Sequence, residues 1–133
     1  MKKWFAILIL GIMFFTSGCS EKSYIVFNKQ PITQENILDA DYIFEKGQRV
    51  YYVITLPEPV FSKQLFIQIY KRDNKEMRYG YKLIYGKTVK LLDETQSHYT
   101  DYFVFSENGL YEFKVYSKDN PTKELTSNFM QVQ

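Results

Sequence analysis

Short runs of aromatic and β-branched residues, separated by turn residues at intervals of about ten positions, most restrict the fold of this chain. Such runs are typical of strands, and their even spacing is typical of a sandwich or a barrel. No segment after residue 23 places apolar residues at helical spacing over two or more turns. We therefore predict an all-β fold of about seven to eight strands. The predicted strands are Tyr24–Phe27, Arg49–Leu56, Leu65–Lys71, Tyr79–Tyr85, Thr88–Leu92, His98–Phe105, Leu110–Ser117 and Leu125–Val132.

Turn residues separate these runs. Pro57 and Pro59 have no N–H to donate to a ladder, so they end the run that closes at Leu56. Residues 29–40 mix polar and apolar positions and are predicted to be a loop or an irregular edge. Further turns are predicted at Arg72–Lys75, at Gly86 and at Asp119–Pro121.

Alternation within the runs predicts the core, because successive side chains of a strand point to opposite faces of its sheet. In each longer run, one set of alternate positions is aromatic or aliphatic. Such bulky side chains can fill a sandwich core in a chain whose single Cys excludes an internal disulfide. The predicted inward residues are Val50, Tyr52, Ile54, Leu56, Leu65, Ile67, Ile69, Phe103, Phe105, Tyr111, Phe113 and Val115.

One segment, Glu107–Phe113, resembles the Asp-x-Gly-x-Tyr-x-Cys corner of immunoglobulin-like domains. The resemblance implies that Gly109 permits a tight backbone. It also implies that Tyr111 packs inward while its hydroxyl bonds back to the upstream loop. In the alternative interpretation, the Asn108-Gly109 pair only makes a hairpin turn.

The wider resemblance extends loosely over residues 42–132 and implies an immunoglobulin-like antiparallel β-sandwich over residues 24–133. Two features depart from antibody domains: Phe113 replaces the second Cys of the corner, and no Trp stands at Phe66 or Ile67.

The N-terminus resembles the signal of bacterial lipoproteins. A basic tip precedes the uncharged run Trp4–Phe15, and small residues then lead to the single Cys in Thr16-Ser17-Gly18-Cys19. The run is too short to cross a membrane, which takes roughly 20 apolar residues. The resemblance implies that residues 1–18 are cleaved and that Cys19 carries a diacylglycerol and an N-acyl lipid on a tether of residues 19–23. An ordinary signal peptide or an uncleaved anchor is the alternative.

The signal also changes the charge. Residues 1–18 contain Lys2, Lys3 and no acidic residue, so the mature chain holds 15 basic and 15 acidic residues. This balance argues against nucleic acid as a partner. Ser20 differs from the Asp that resembles an inner-membrane retention signal, which favours the outer membrane within a bacterial cell envelope.

The sequence contains no strong catalytic or metal-binding motif. His98 is the single His, and Asp101 follows it, but no nucleophile motif accompanies them. Asp39, Asp41 and Glu45 lack the pattern of a calcium loop. Cys19 would be consumed by lipid. We therefore expect no enzyme, no cofactor and no metal.

An excess of tyrosine points to binding. If the predicted inward set is correct, Phe66, Gln68 and Tyr70 point outward from one strand, and Lys114 and Tyr116 do so from a strand that is its neighbour in an immunoglobulin-like arrangement. Rings with polar tips are typical of protein hot spots and of platforms that stack sugars.

We therefore expect a non-enzymatic, lipid-anchored envelope protein that binds a protein partner through a sheet face or edge. The alternatives are a carbohydrate- or peptidoglycan-binding module and an inhibitor of an envelope protein. Ordinary β-propensity would also place tyrosines on the surface of a sheet.

Overall fold

Two β-sheets pack face to face in the computed structural model, which describes residues 22–72 and 80–133. The first sheet has the strand order β1-β3-β6, and the second has the order β2-β8-β7-β4-β5. Every neighbouring pair is antiparallel except β2 and β8. The all-β, immunoglobulin-like sandwich is thereby confirmed. The strands are β1 (Ile25–Asn28), β2 (Ile43–Phe44), β3 (Arg49–Thr55), β4 (Gln64–Arg72), β5 (Tyr81–Lys90), β6 (His98–Val104), β7 (Gly109–Ser117) and β8 (Asn120–Val132).

Two strands differ from their prediction because each contains an irregularity. Strand β5 joins two predicted runs, one expected to end before Gly86 and one expected to begin after it. Strand β4 pairs with β5 along its whole length, and Ile84 is the extra residue of a β-bulge between them. Strand β8 begins at Asn120 instead of Leu125. Tyr116 pairs with Glu124 and Ser117 pairs with Asn120, so the register shifts between these two pairs. Pro121 lies within that shift, where no N–H is needed for the ladder. Short β2 was not predicted, and the expected turn over residues 73–75 lies outside the described residues.

The core between the sheets contains the side chains that alternation predicts. All twelve predicted inward residues are buried except Phe103, which is partly buried and packs against them. Aromatic rings join the two layers: Phe27 of β1 meets Phe113 of β7 with ring centroids 5.0 Å apart, and Phe105 lies 4.2 Å from Tyr111. Within the described residues, no helix is long and apolar enough to cross a membrane.

Tyr111 makes the corner that its motif implies. The side chain is 2% exposed, and its hydroxyl donates a hydrogen bond of 2.7 Å to the carbonyl of Glu107. Strands β6 and β7 belong to different sheets, so Asn108-Gly109 does not close a hairpin between them. Gly109 does not have a positive φ, but a Cβ there would lie 2.9 Å from Cε of Lys71.

Asp119 ties the turn between β7 and β8 to the loop between β3 and β4. Its two carboxylate oxygens accept the N–H groups of Phe61 and Ser62, each at 2.7 Å. Partial desolvation acts to raise the pKa of Asp119, but donors from Ser62, Phe61 and Ser117 outweigh it and hold this pKa below its usual range.

We predict that Tyr111→Phe lowers the free energy of unfolding by about 1 kcal/mol, because it deletes one hydrogen bond and keeps the buried ring. Urea denaturation measures the change. The control is Tyr42→Phe, since Tyr42 is 48% exposed and its replacement should cost less than about 0.5 kcal/mol. Equal effects of the two variants would contradict a role for the corner bond.

We also predict that Asp119→Asn destabilises the fold at neutral pH and that this difference from wild type shrinks in acid. A carboxylate with a lowered pKa stabilises the fold above its unfolded pKa, and that contribution is lost as the pH falls through the folded pKa. Urea denaturation at pH 7, 5 and 3 tests this, with Glu58→Gln as an exposed control. A difference that stays constant across that pH range would refute the assignment.

Candidate functional site

The five outward residues predicted as a binding surface come together on the outer face of the five-stranded sheet. Phe66 of β4 lies directly opposite Tyr116 of β7, and Gln68 lies opposite Lys114. Tyr70 is next along β4 and faces Glu112. Together with Glu112, the five predicted residues form a continuous surface in which every side chain is partly buried by its neighbours.

Neighbouring strands extend this surface with apolar side chains that the sequence analysis did not select. The bulge in β5 brings Leu83 opposite Tyr70, and β8 places Phe129 opposite Glu112. Leu83 is 48% exposed and Phe129 is 43% exposed. Alternation in β8 could have identified Phe129, but no sequence signal revealed the bulge. The outer patch comprises Phe66, Gln68, Tyr70, Leu83, Glu112, Lys114, Tyr116 and Phe129.

Polar contacts hold the rings of the outer patch in place. The Tyr70 hydroxyl donates a hydrogen bond of 2.8 Å to Oε1 of Gln68. The Lys114 ammonium lies 5.3 Å from the centroid of the Tyr70 ring and 3.6 Å from Oε1 of Glu112. Rings that are already ordered lose less side-chain entropy when a partner covers them.

Lys114 and Tyr116 differ in charge within the outer patch. Burial acts to lower the pKa of Lys114, but Glu112, Tyr116 and Glu124 outweigh it and raise this pKa. Burial raises the pKa of Tyr116. At neutral pH, Lys114 is therefore a cation, and Tyr116 presents a neutral hydroxyl that can donate or accept.

Gly86 makes room for one ring of the outer patch. It lies opposite Gln68, and a Cβ there would be 3.3 Å from Cζ of Phe66. The Phe66 ring thus lies against bare backbone of β5, while the Lys118 ammonium lies 5.0 Å from the centroid of the same ring.

A cavity of about 540 Å³ lies on the other side of the sandwich, on the outer face of the three-stranded sheet. The loop after β1 covers that face, held by the Asn28 side-chain amide, which donates a hydrogen bond of 2.9 Å to the Asp39 carbonyl. Beneath the loop, Val53 is only 3% exposed although it points outward. The lining includes Ile32, Ile37, Val53, Thr55, His98 and Thr100.

His98 and Asp101 do not form a catalytic pair. They lie three positions apart in β6, so their side chains point to opposite faces. The Asp101 carboxylate instead accepts hydrogen bonds from the Tyr99 hydroxyl at 3.0 Å and from Lys87 of β5 at 3.2 Å. Burial, followed by the charge of Asp101, raises the pKa of Tyr99 to about 12.

The acidic residues that were considered for calcium are not brought together within the described part of the chain. Within residues 22–72 and 80–133, no three His, Cys, Asp or Glu side chains lie close enough together to hold a metal ion. Asp39, Asp41 and Glu45 therefore do not form such a group. Cys19, the predicted lipid-bearing residue, lies outside the described residues.

Comparisons with known proteins find similarity of fold. No protein-family model matches the chain, and no curated protein sequence matches it. An immunoglobulin-like protein from Pseudomonas aeruginosa has 14% identity and a TM-score of 0.49, over 86% of this chain and 94% of its own.

Two further solved structures are similar at the same level. A superoxide reductase from Ignicoccus hospitalis has 11% identity and a TM-score of 0.47, over 86% of this chain and 82% of its own. The CARDB domain of a Pyrococcus furiosus protein, solved with di-metal ions, has 14% identity and a TM-score of 0.43, over 84% and 86%.

The expectation that the chain is not an enzyme rested on missing catalytic motifs, and it was wrong. Superoxide reductases are enzymes, and they are among the solved structures that resemble this sandwich. At these identities the likeness is one of fold, and it assigns no activity to this chain.

Proposed function

We propose that this chain is a lipid-anchored protein of a bacterial cell envelope that binds a protein partner through the outer patch. The observation that carries the proposal is the convergence of Phe66, Tyr70 and Tyr116 with the exposed Leu83 and Phe129 on one sheet face. Exposed apolar clusters with a polar surround mark interaction surfaces more often than isolated apolar residues do.

The composition of the outer patch supports a protein partner. Aromatic residues are enriched at the desolvated centre of protein interfaces, and the cation, carboxylate and amide of the outer patch suit the polar rim around such a centre. Two cavities, of about 540 and 220 Å³, lie on the opposite sheet. The outer patch stands on the face of a sheet, a shape that suits a second protein surface better than a single sugar chain.

The lipid anchor rests on the lipoprotein-like signal that ends at Cys19. The described chain is already held to the sandwich at Tyr24, whose N–H donates a hydrogen bond of 2.9 Å to the Thr55 hydroxyl. A tether of residues 19–23 can span at most roughly 17 Å. An anchor at Cys19 would therefore hold the Tyr24 end of the sandwich within about this distance of the membrane.

We predict that the mature protein begins at Cys19 and carries a diacylglycerol and an N-acyl chain. Mass spectrometry of protein extracted from native membranes tests this prediction. The Cys19→Ser variant, which has no thiol to modify, is the control and should lack the lipid mass. A wild-type chain that begins at any other residue would overturn the anchor.

We predict that Tyr70→Ser with Tyr116→Ser weakens binding to the partner by at least roughly thirtyfold, because truncation of a hot-spot ring costs about 2 kcal/mol or more. The partner is first isolated by crosslinking and affinity purification of the lipidated chain from native membranes. Its affinity is then measured for wild type and variants. The matched control is Tyr24→Ser with Tyr42→Ser, two exposed tyrosines outside the outer patch.

The two pairs of substitutions separate the alternatives. Unchanged affinity in a folded Tyr70/Tyr116 variant would remove the outer patch from consideration. Recovery of peptidoglycan or polysaccharide alone, lost in that variant and kept in the control, would assign the rings to sugar stacking instead.

A further inference from the structure

The sandwich has four strand edges, and they differ in how well they are protected against pairing with another chain. Unpaired N–H and C=O groups at an edge are a template for a further strand. Strands β1 and β2 are short, with four and two residues. Strand β5 is long, but it contains Lys82, Lys87 and Lys90 as well as a bulge. Lysines, bulges and short length are three of the devices that block edge pairing.

Strand β6 has none of those devices. It extends over seven residues, His98–Val104, and it contains no Lys, no Pro and no register shift against β3. Its inward charge, Asp101, is already paired with Lys87 and Tyr99. Among the described residues, β6 pairs with β3 alone, so no described strand lies at its other side.

Two hydrogen bonds identify the main-chain groups at the open side. Leu56 N–H donates to the Ser97 carbonyl and Gly47 N–H to the Phe105 carbonyl, so odd-numbered residues of this segment direct their main chain toward β3. The even-numbered residues therefore direct theirs to the open side. These residues are His98, Thr100, Tyr102 and Val104.

Local side chains occupy only part of this edge. Gln96 donates a hydrogen bond of 2.7 Å to the His98 carbonyl, and Asp101 accepts the Tyr102 N–H at 2.8 Å. Within the described residues, the N–H and C=O of Thr100 and the N–H of Val104 have no hydrogen-bond partner.

We propose that the open edge of β6 accepts an extended segment of a protein partner as an additional strand of the three-stranded sheet. The main chain of that segment would pair with Thr100 and Val104. The edge belongs to the other layer of the sandwich from the outer patch, so this second interaction surface does not depend on the proposed function.

A separate protein, not a second copy of this chain, fits the edge. Antiparallel pairing of two β6 strands over all seven residues would place Asp101 directly opposite its copy, and like charges in that position destabilise a sheet. A partner segment can present a neutral residue there. Its outward side chains would stand beside Thr100, at the rim of the cavity that Ile32, Ile37 and Val53 line. Alternate residues of the segment are therefore expected to be apolar.

The probe is a display library of eight-residue segments in which random residues alternate with threonine. Segments are selected on the full-length chain in detergent, and the strongest is synthesised. We expect saturation with this peptide to slow amide hydrogen exchange at Thr100 and Val104 by roughly tenfold or more, as measured by NMR. Two N-methylated versions of the peptide each block the amides along one of its two edges. A strand pairs through one edge, so only one of the two versions should lose binding.

Substitutions in β6 provide the matched test. Thr100→Pro removes the edge N–H without touching the ladder to β3, and it should weaken peptide binding by at least tenfold. Thr100→Val keeps the N–H and should bind within about twofold of wild type. The N-methylated peptides decide the question if Thr100→Pro does not fold.

Three results would overturn the proposal. The library could yield no binder, or its peptides could protect amides only in the outer patch or in β5. The same amides could also become protected without peptide as the protein concentration rises, which would assign the edge to self-association.

Discussion

The register between β4 and β7 is the constraint on which both faces of the five-stranded sheet depend. It places Ile67 and Val115 in the core and Phe66 and Tyr116 on the outer face. A slip by one residue would exchange these sets, burying polar groups and exposing the aliphatic side chains. The corner at Tyr111 opposes that slip, because Tyr111 pairs with Lys71 at the end of the ladder and is bonded to the Glu107 carbonyl.

The same register explains why the outer patch is ordered without a partner. Residues that lie directly opposite each other on an antiparallel pair have neighbouring side chains, and such pairs stabilise the sheet. Each ring of the patch therefore contributes to folding before it contributes to recognition. A surface of this kind costs less to order on binding than one built on loops, but its substitutions must be checked for effects on stability.

Alternation was sufficient to predict the core, because β4 and β7 are regular and half-buried. The sandwich and the central members of the outer patch also needed the resemblance of Glu107–Phe113 to an immunoglobulin-like corner, which made β4 and β7 neighbours. Alternation was insufficient where a strand is irregular. The bulge at Ile84 reverses the faces of β5 without any change in composition, and Pro121 was interpreted as a stop although it lies within a bulge of β8. The cavity above Val53 was also beyond prediction, because it depends on how the loop after β1 folds over the sheet.

The two layers offer different kinds of recognition because they expose different chemical groups. The outer patch presents side chains, so its selectivity depends on the shape and charge of the opposing surface. The β6 edge presents main-chain groups, which any extended segment can satisfy, and selectivity there must come from alternate side chains and from Asp101. A small sandwich can thus contact a folded protein through one layer and an extended segment through the other. Neither contact requires a change in the register that holds the core together.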